Sequence, residues 1–179
     1  MNSNLGYEIQ ECIRFVTRYT PVNDGTNKKP ELLHVLRVGM HLYKYSDTLS
    51  REVILAWFMH DLIEEWDEVW WLILKKHGQY IYNLVLANSK DMNIYDKEKQ
   101  LKDIVTRCAH IWRDALIIKA ADVYDNIMYV DETKYERTSQ VARGVYIWKE
   151  LIKHEDMFED HPLYMSMKEL LEKNDVILP

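Results

Sequence analysis

The sequence predicts an all-α protein folded as one domain. Three observations carry this expectation. Apolar residues recur at three- and four-residue steps along most of the chain, the spacing of one helix face. Glycine and proline number only 5 and 4, too little punctuation for a fold built on many tight β turns. A length of 179 residues suits a single sizeable hydrophobic core.

The elements follow in order. Ile9, Ile13, Phe15 and Val16 give residues 7–19 a modest helical face. Thr20 to Pro30 holds Pro21, Asn23-Asp24-Gly25 and Asn27-Lys28-Lys29-Pro30, and reads as a loop. Leu33, Leu36, Met40 and Tyr43 mark a second helix, and Ser46 to Ser50 a connector. Ser50 is placed to cap the next helix, which runs through His60 and is apolar nearly all round at Val53, Ile54, Leu55, Trp57 and Phe58. A helix of that kind belongs at the centre. Trp66 to His77 is amphipathic and stops at Gly78, a natural residue just past a helix end. Residues 79–87 read as a helix and Asn88 to Asp96 as a polar turn. Lys99 to Ala109 and Leu116 to Tyr129 are two more helices, broken near Arg113-Asp114. Thr138 to His154 is helical in pattern, and Leu163 to Lys173 follows Pro162 as the last helix. No repeat, low-complexity tract or linker divides the chain.

Composition excludes several partners. The formal charge is −6 and no long basic run occurs, so a nucleic-acid duplex is not expected. A small phosphorylated ligand remains compatible if a few cations and a metal converge locally. Cys12 and Cys108 lack metal-ribbon spacing and read as buried reduced thiols, which suits a cytoplasmic protein. The first residues lack a signal-peptide pattern, and no apolar run approaches the ~20 residues that span a bilayer. Trp66, Trp70 and Trp71 read as core or interface rather than a base-stacking box, and a homo-oligomer is compatible with the sequence.

The chemistry concentrates in Ala56-Trp57-Phe58-Met59-His60-Asp61-Leu62-Ile63-Glu64-Glu65. An imidazole and a carboxylate stand side by side, and two carboxylates follow one turn later. His34 lies upstream and Asp122 downstream, each on a predicted helix. His34, His60, Asp61 and Asp122 form a mixed nitrogen and oxygen set that suits Mn²⁺, Fe²⁺, Co²⁺, Ni²⁺ or Zn²⁺ better than Ca²⁺ or Mg²⁺. Such an ion lowers the pKa of bound water, and Glu64 or Glu65 could orient that water or take its proton. A bare His-Asp pair is a weak signal by itself, and a lone His34 is more often a helix residue satisfied by the backbone. His41 is a competing ligand at helical spacing from His34. The joint occurrence of four elements in order gives the set its weight.

At these residues the chain resembles the HD-domain phosphohydrolases, whose signature is His…His-Asp…Asp. Within them it is most similar to the RelA/SpoT-type alarmone hydrolase domain and its small stand-alone relatives, over roughly residues 30–150. The matching segments are His60-Asp61-Leu62-Ile63-Glu64-Glu65, His77-Gly78, Leu84-Val85, Ser89-Lys90 and Ile118-Lys119-Ala120-Ala121-Asp122 with Asn126. The resemblance implies an all-helical fold with His34, His60, Asp61 and Asp122 as metal ligands. It also implies Glu64 and Glu65 as the catalytic pair, Asn126 as a contact either to substrate or to a metal ligand, and Mn²⁺-dependent removal of the 3′-pyrophosphate from guanosine tetra- or pentaphosphate. The chain departs from that pattern at Glu65, where the family usually has Asp, and at His34-Val35, where it commonly has His-Pro. The Arg-rich guanine-binding segment is poorly matched, which leaves Arg18 as the candidate base contact; Lys90, Lys119 and Arg143 are candidates for phosphate charge.

Two other readings compete. An HD-type deoxynucleotidase or deoxynucleoside triphosphate hydrolase shares the metal set, with Arg14 or Arg18 upstream of His34. A non-catalytic nucleotide-binding module would keep the fold without turnover.

Overall fold

The computed structural model describes residues 3–19, 31–66, 68–132 and 137–173, and among them every regular element is helical. The predicted loop from Thr20 to Pro30 lies outside the described residues. The chain forms two compact units, Met1–Ser89 and Lys90–Pro179.

The first unit contains α1 (Ser3–Tyr19), α2 (Glu31–Tyr43), α3 (Arg51–Phe58), α4 (Leu62–Glu65), α5 (Val69–His77) and α6 (Gln79–Asn88). Its centre is α3, which packs against α1, α2 and α6. Every residue from Val53 to Phe58 is buried, as expected of a helix apolar nearly all round. Full burial of one large aliphatic side chain contributes about 1.5–3 kcal/mol, so this short segment anchors the unit. Ser50 caps α3, accepting a hydrogen bond from the amide of Val53 at 3.3 Å. Arg51 grips Glu8 of α1 through two nitrogens at 2.7 and 2.5 Å, fastening the two helices at their rims.

Gly39 of α2 faces Phe58 of α3 at close range. A Cβ there would lie 2.4 Å from the Phe58 ring, so only glycine lets the helices approach this far. Gly78 separates α5 from α6 with φ +88°, a left-handed backbone that favours glycine.

One expectation is corrected here. The sequence places His60 and Asp61 on a continuous helix with Glu64 and Glu65 one turn on. The helix instead ends at Phe58, and residues 59–61 form a turn before the single-turn α4. The amides of Met59 and His60 bond three residues back, to Ala56 and Trp57, at 3.0 and 3.3 Å. In a continued α-helix the Trp57 carbonyl would accept from the amide of Asp61. It accepts instead from the amide and the ring of His60. The His60 side chain itself ends the helix.

The second unit contains α7 (Lys97–Ile111), α8 (Arg113–Glu132), α9 (Arg137–Leu151), a 3₁₀ turn (Ile152–Met157) and α10 (Pro162–Lys173). Asp96 caps α7, accepting from the amide of Lys99 at 2.9 Å. The central helix is α8, which packs against α7, α9 and α10 and buries Ala115 to Ile118, Ala120, Ala121, Val123 and Ile127. The break between α7 and α8 falls at Trp112, one residue before its expected place, with φ +95°. Trp148, Phe158 and Tyr164 pack against one another within the unit, with ring centroids 5.4 to 6.2 Å apart.

Candidate metal centre

Three of the four predicted ligands come together within the first unit. His34 lies on the face of α2 that also buries Val35, Val38 and Leu42, a helical stripe turned toward α3. The close approach at Gly39 brings that stripe against the end of α3, where His60 begins the turn. Both imidazoles are buried, and their ring centroids lie 5.3 Å apart. Nε2 of His34 is 3.5 Å and Nε2 of His60 is 3.2 Å from the same oxygen, Oδ2 of Asp61.

The tautomer of His60 follows from its partner. A carbonyl only accepts, so at 2.8 Å from the Trp57 oxygen Nδ1 must carry the hydrogen. In the neutral ring Nε2 is then a lone-pair donor, and it faces a carboxylate oxygen. Two lone pairs set against each other repel unless a proton or a metal cation lies between them. Two imidazoles and a carboxylate are a donor set that first-row divalent ions accept, so these residues fit a metal. The backbone bond to Nδ1 is the kind of outer contact that orients a ligating histidine.

Asp122 belongs to the second unit, buried on α8. Lys119 and Asn126 flank it one turn to either side. Lys119 Nζ lies 3.0 Å from Oδ2, and Asn126 Nδ2 donates to Oδ1 at 2.6 Å. Both oxygens are held by neighbours of the same helix, so its carboxylate direction is set locally. Lys119 is buried and Asn126 partly so; these two of the expected substrate contacts are thus engaged with the carboxylate of Asp122.

The remaining candidates lie on several elements. Glu64 is half-buried on α4, and the side chain of Glu65 lies outside the described residues. Lys90 is half-buried beyond α6, Arg143 is exposed on α9, and Arg18 is exposed in the last turn of α1. Arg14 is exposed and paired to Glu11 at 2.7 Å. His41 is half-buried on α2. Trp66, Trp70 and Trp71 are close to half exposed, so they are not core residues. Cys12 and Cys108 are buried free thiols, each pushed up to about 12 chiefly by burial, which leaves them poor nucleophiles.

Sequence reasoning did not identify the contacts that hold the turn. The Trp57 carbonyl carries no side-chain signal, and Ser89 stood only as part of a motif. Its hydroxyl lies 3.3 Å from the His60 carbonyl oxygen. Asp125, buried on α8, was also missed; a second acid three residues beyond Asp122 in an apolar helix was its signal.

No protein-family model and no curated protein sequence matches the chain. A solved structure does, that of a metazoan ortholog of SpoT that hydrolyzes ppGpp and plays a role in starvation responses. The TM-score is 0.75 at 19% sequence identity, covering 95% of this chain and 97% of that one. At that identity the likeness concerns backbone architecture, and the all-helical fold of this chain is shared with that protein over nearly its whole length.

Proposed function

We propose that this chain is a divalent-metal-dependent phosphohydrolase acting on a nucleotide, with the 3′-pyrophosphate of a guanosine alarmone as the scissile group. The observation that carries the reading is the pair of buried imidazoles whose Nε2 atoms face one oxygen of Asp61. Asp122 is the fourth ligand in this proposal. His34, His60 and Asp122 are each buried and each offers one ligand atom. The fold shared with a protein that hydrolyzes ppGpp supports the substrate class.

When bound, the ion supplies Lewis acidity toward a phosphate oxygen and a lowered pKa for water. Mn²⁺ is the ion we assign. The protein's own groups do the rest. The Trp57 carbonyl keeps the His60 ring in its ligating tautomer. Lys119 and Asn126 hold both oxygens of Asp122. Glu64, on the helical turn just after Asp61, orients the attacking water or takes its proton, with Glu65 as its partner. Asn126 also lies near the ribose or a phosphate in this scheme, and Lys90, Lys119, Arg143 and Arg18 are the cations assigned to phosphate and base. A chain at −6 needs such local positive charge to receive a tetraphosphate.

The test is a substrate panel with Mn²⁺, resolved by ion-exchange chromatography. Pyrophosphate release from guanosine tetraphosphate is expected. Inert guanosine tetraphosphate beside rapid release of triphosphate or orthophosphate from deoxynucleotides would transfer the assignment to the deoxynucleotide hydrolases. Nucleotide binding without turnover across several metals would make the chain a binding module.

A further inference from the structure

We propose that Ser89 is a positioning residue for the ligand turn, acting through the carbonyl of His60; its bearing on metal binding rests on the reading above. Ser89 follows the last residue of α6 and is 3% exposed, so its hydroxyl has exchanged water for protein partners. Oγ lies 3.3 Å from the carbonyl oxygen of His60, 29 residues away in sequence, and 2.9 Å from that of Val85, one turn back. The amide of Ser89 also turns inward, toward the carbonyls of Val85 and Leu86 at 3.1 and 3.3 Å. A hydroxyl has one hydrogen, so it is shared between the two carbonyls rather than making two full bonds. The Val85 contact alone is an ordinary back-bond at a helix end. The His60 contact reaches the ligand turn.

The turn needs that contact because α3 stops at Phe58 and α4 starts only at Leu62, so no helix sets the direction of the His60–Asp61 peptide. The carbonyls on either side of His60 are both held. The Trp57 carbonyl takes the ring Nδ1 hydrogen, and the His60 carbonyl lies against the Ser89 hydroxyl. Rotation of the peptide after His60 would swing the Asp61 carboxylate away from the two imidazoles, and it would first have to break the Ser89 contact. Alanine at position 89 removes the donor and leaves a buried carbonyl less well satisfied; threonine keeps the hydroxyl.

The experiment compares the full chain with Ser89→Ala and Ser89→Thr. Three quantities are read: Mn²⁺ affinity by calorimetry, the thermal midpoint of the metal-free protein, and the tautomer pattern of the His60 ring by long-range ¹⁵N–¹H spectra of the metal-free protein. Loss of an outer-shell contact typically weakens metal affinity ~10–100-fold. Ser89→Ala is expected at the lower end, near tenfold, with the midpoint lowered by only a few degrees. Its His60 ring signals should broaden or leave the Nδ1–H pattern, and Ser89→Thr should restore both affinity and spectrum. Unchanged affinity and ring signals in Ser89→Ala overturn the proposal, as does an affinity loss that merely tracks the unfolded fraction. If the wild-type chain binds no divalent ion, the metal reading fails, and the ring spectra alone then decide whether Ser89 positions His60.

Discussion

The ring of His60 donates its Nδ1 hydrogen to the carbonyl of Trp57 at 2.8 Å, and the same carbonyl accepts the His60 amide at 3.3 Å. One acceptor thereby ends the helix and sets which ring nitrogen faces Asp61. The break that displaces His60 and Asp61 from a regular helix is the feature that points Nε2 at Asp61.

Asp61 and Glu64 should separate by function. Asp61→Ala removes a carboxylate that faces both imidazoles, so metal retention and turnover should both be lost. Glu64→Gln should keep the metal while activity falls ~10²–10⁴-fold, the span of a lost general acid or base. Metal content by atomic absorption, measured beside turnover, checks the division. Equal metal loss in the two variants would move Glu64 among the ligands.

Gly39→Val tests how the two histidines are brought together. A Cβ already collides with the Phe58 ring at 2.4 Å, and the valine methyls have less room still. Overpacking of this kind costs about 1–3 kcal/mol. Because Gly39 lies five residues beyond His34 on the same helix and Phe58 two residues before His60, the displacement should also weaken Mn²⁺ binding. Urea unfolding and calorimetry read the two effects; a variant that is destabilised yet binds Mn²⁺ normally would dissociate the glycine from the site.

Trp112 adopts φ +95° and ψ −171°, a region that is nearly glycine-only, while its side chain is 67% exposed. Backbone strain of this sort costs about 1–3 kcal/mol. Trp112→Gly relieves it and loses little packing, though the unfolded chain gains entropy that offsets part of the gain. A net increase of about 1 kcal/mol in urea unfolding is expected. Trp112→Ala retains a Cβ and should show no such increase, which separates strain from the loss of an exposed ring.

His77 should shape the acid limb of stability. Its pKa is lowered from 6.5 to about 4, chiefly by burial, with Lys76 and Arg51 contributing and Glu8 opposing. Between those values the unfolded chain binds a proton that the folded chain refuses, so stability falls as pH drops through that window and is unaffected by this group above it. His77→Gln should flatten the decline between about pH 6.5 and 4 in chemical-denaturation curves. A slope equal to wild type would show that other groups govern it.

The helical pattern was legible because helix periodicity is a local property. Leu33, Leu36 and Val53 to Phe58 announce their helices in any context, and Ser50 and Gly78 mark boundaries through their own side-chain chemistry. Boundaries set by a distant or unusual partner were less visible. The end of α3 depends on a ring that competes for a carbonyl, and the Trp112 break has no glycine to signal it.

The sequence by itself determined an all-helical chain and the residue types of the candidate site, because periodicity and ligand chemistry are written in side-chain identity and spacing. Tertiary structure alone decided that His34 and His60 turn their Nε2 atoms to one oxygen of Asp61, and that Ser89 reaches the carbonyl of His60 across 29 residues. It also decided that Lys119 is buried on α8 rather than displayed on the surface. Such relations depend on how closely helices pack and on which buried donor meets which acceptor. Those are set by contacts between segments far apart in the chain, such as Gly39 against Phe58, and no local pattern encodes them.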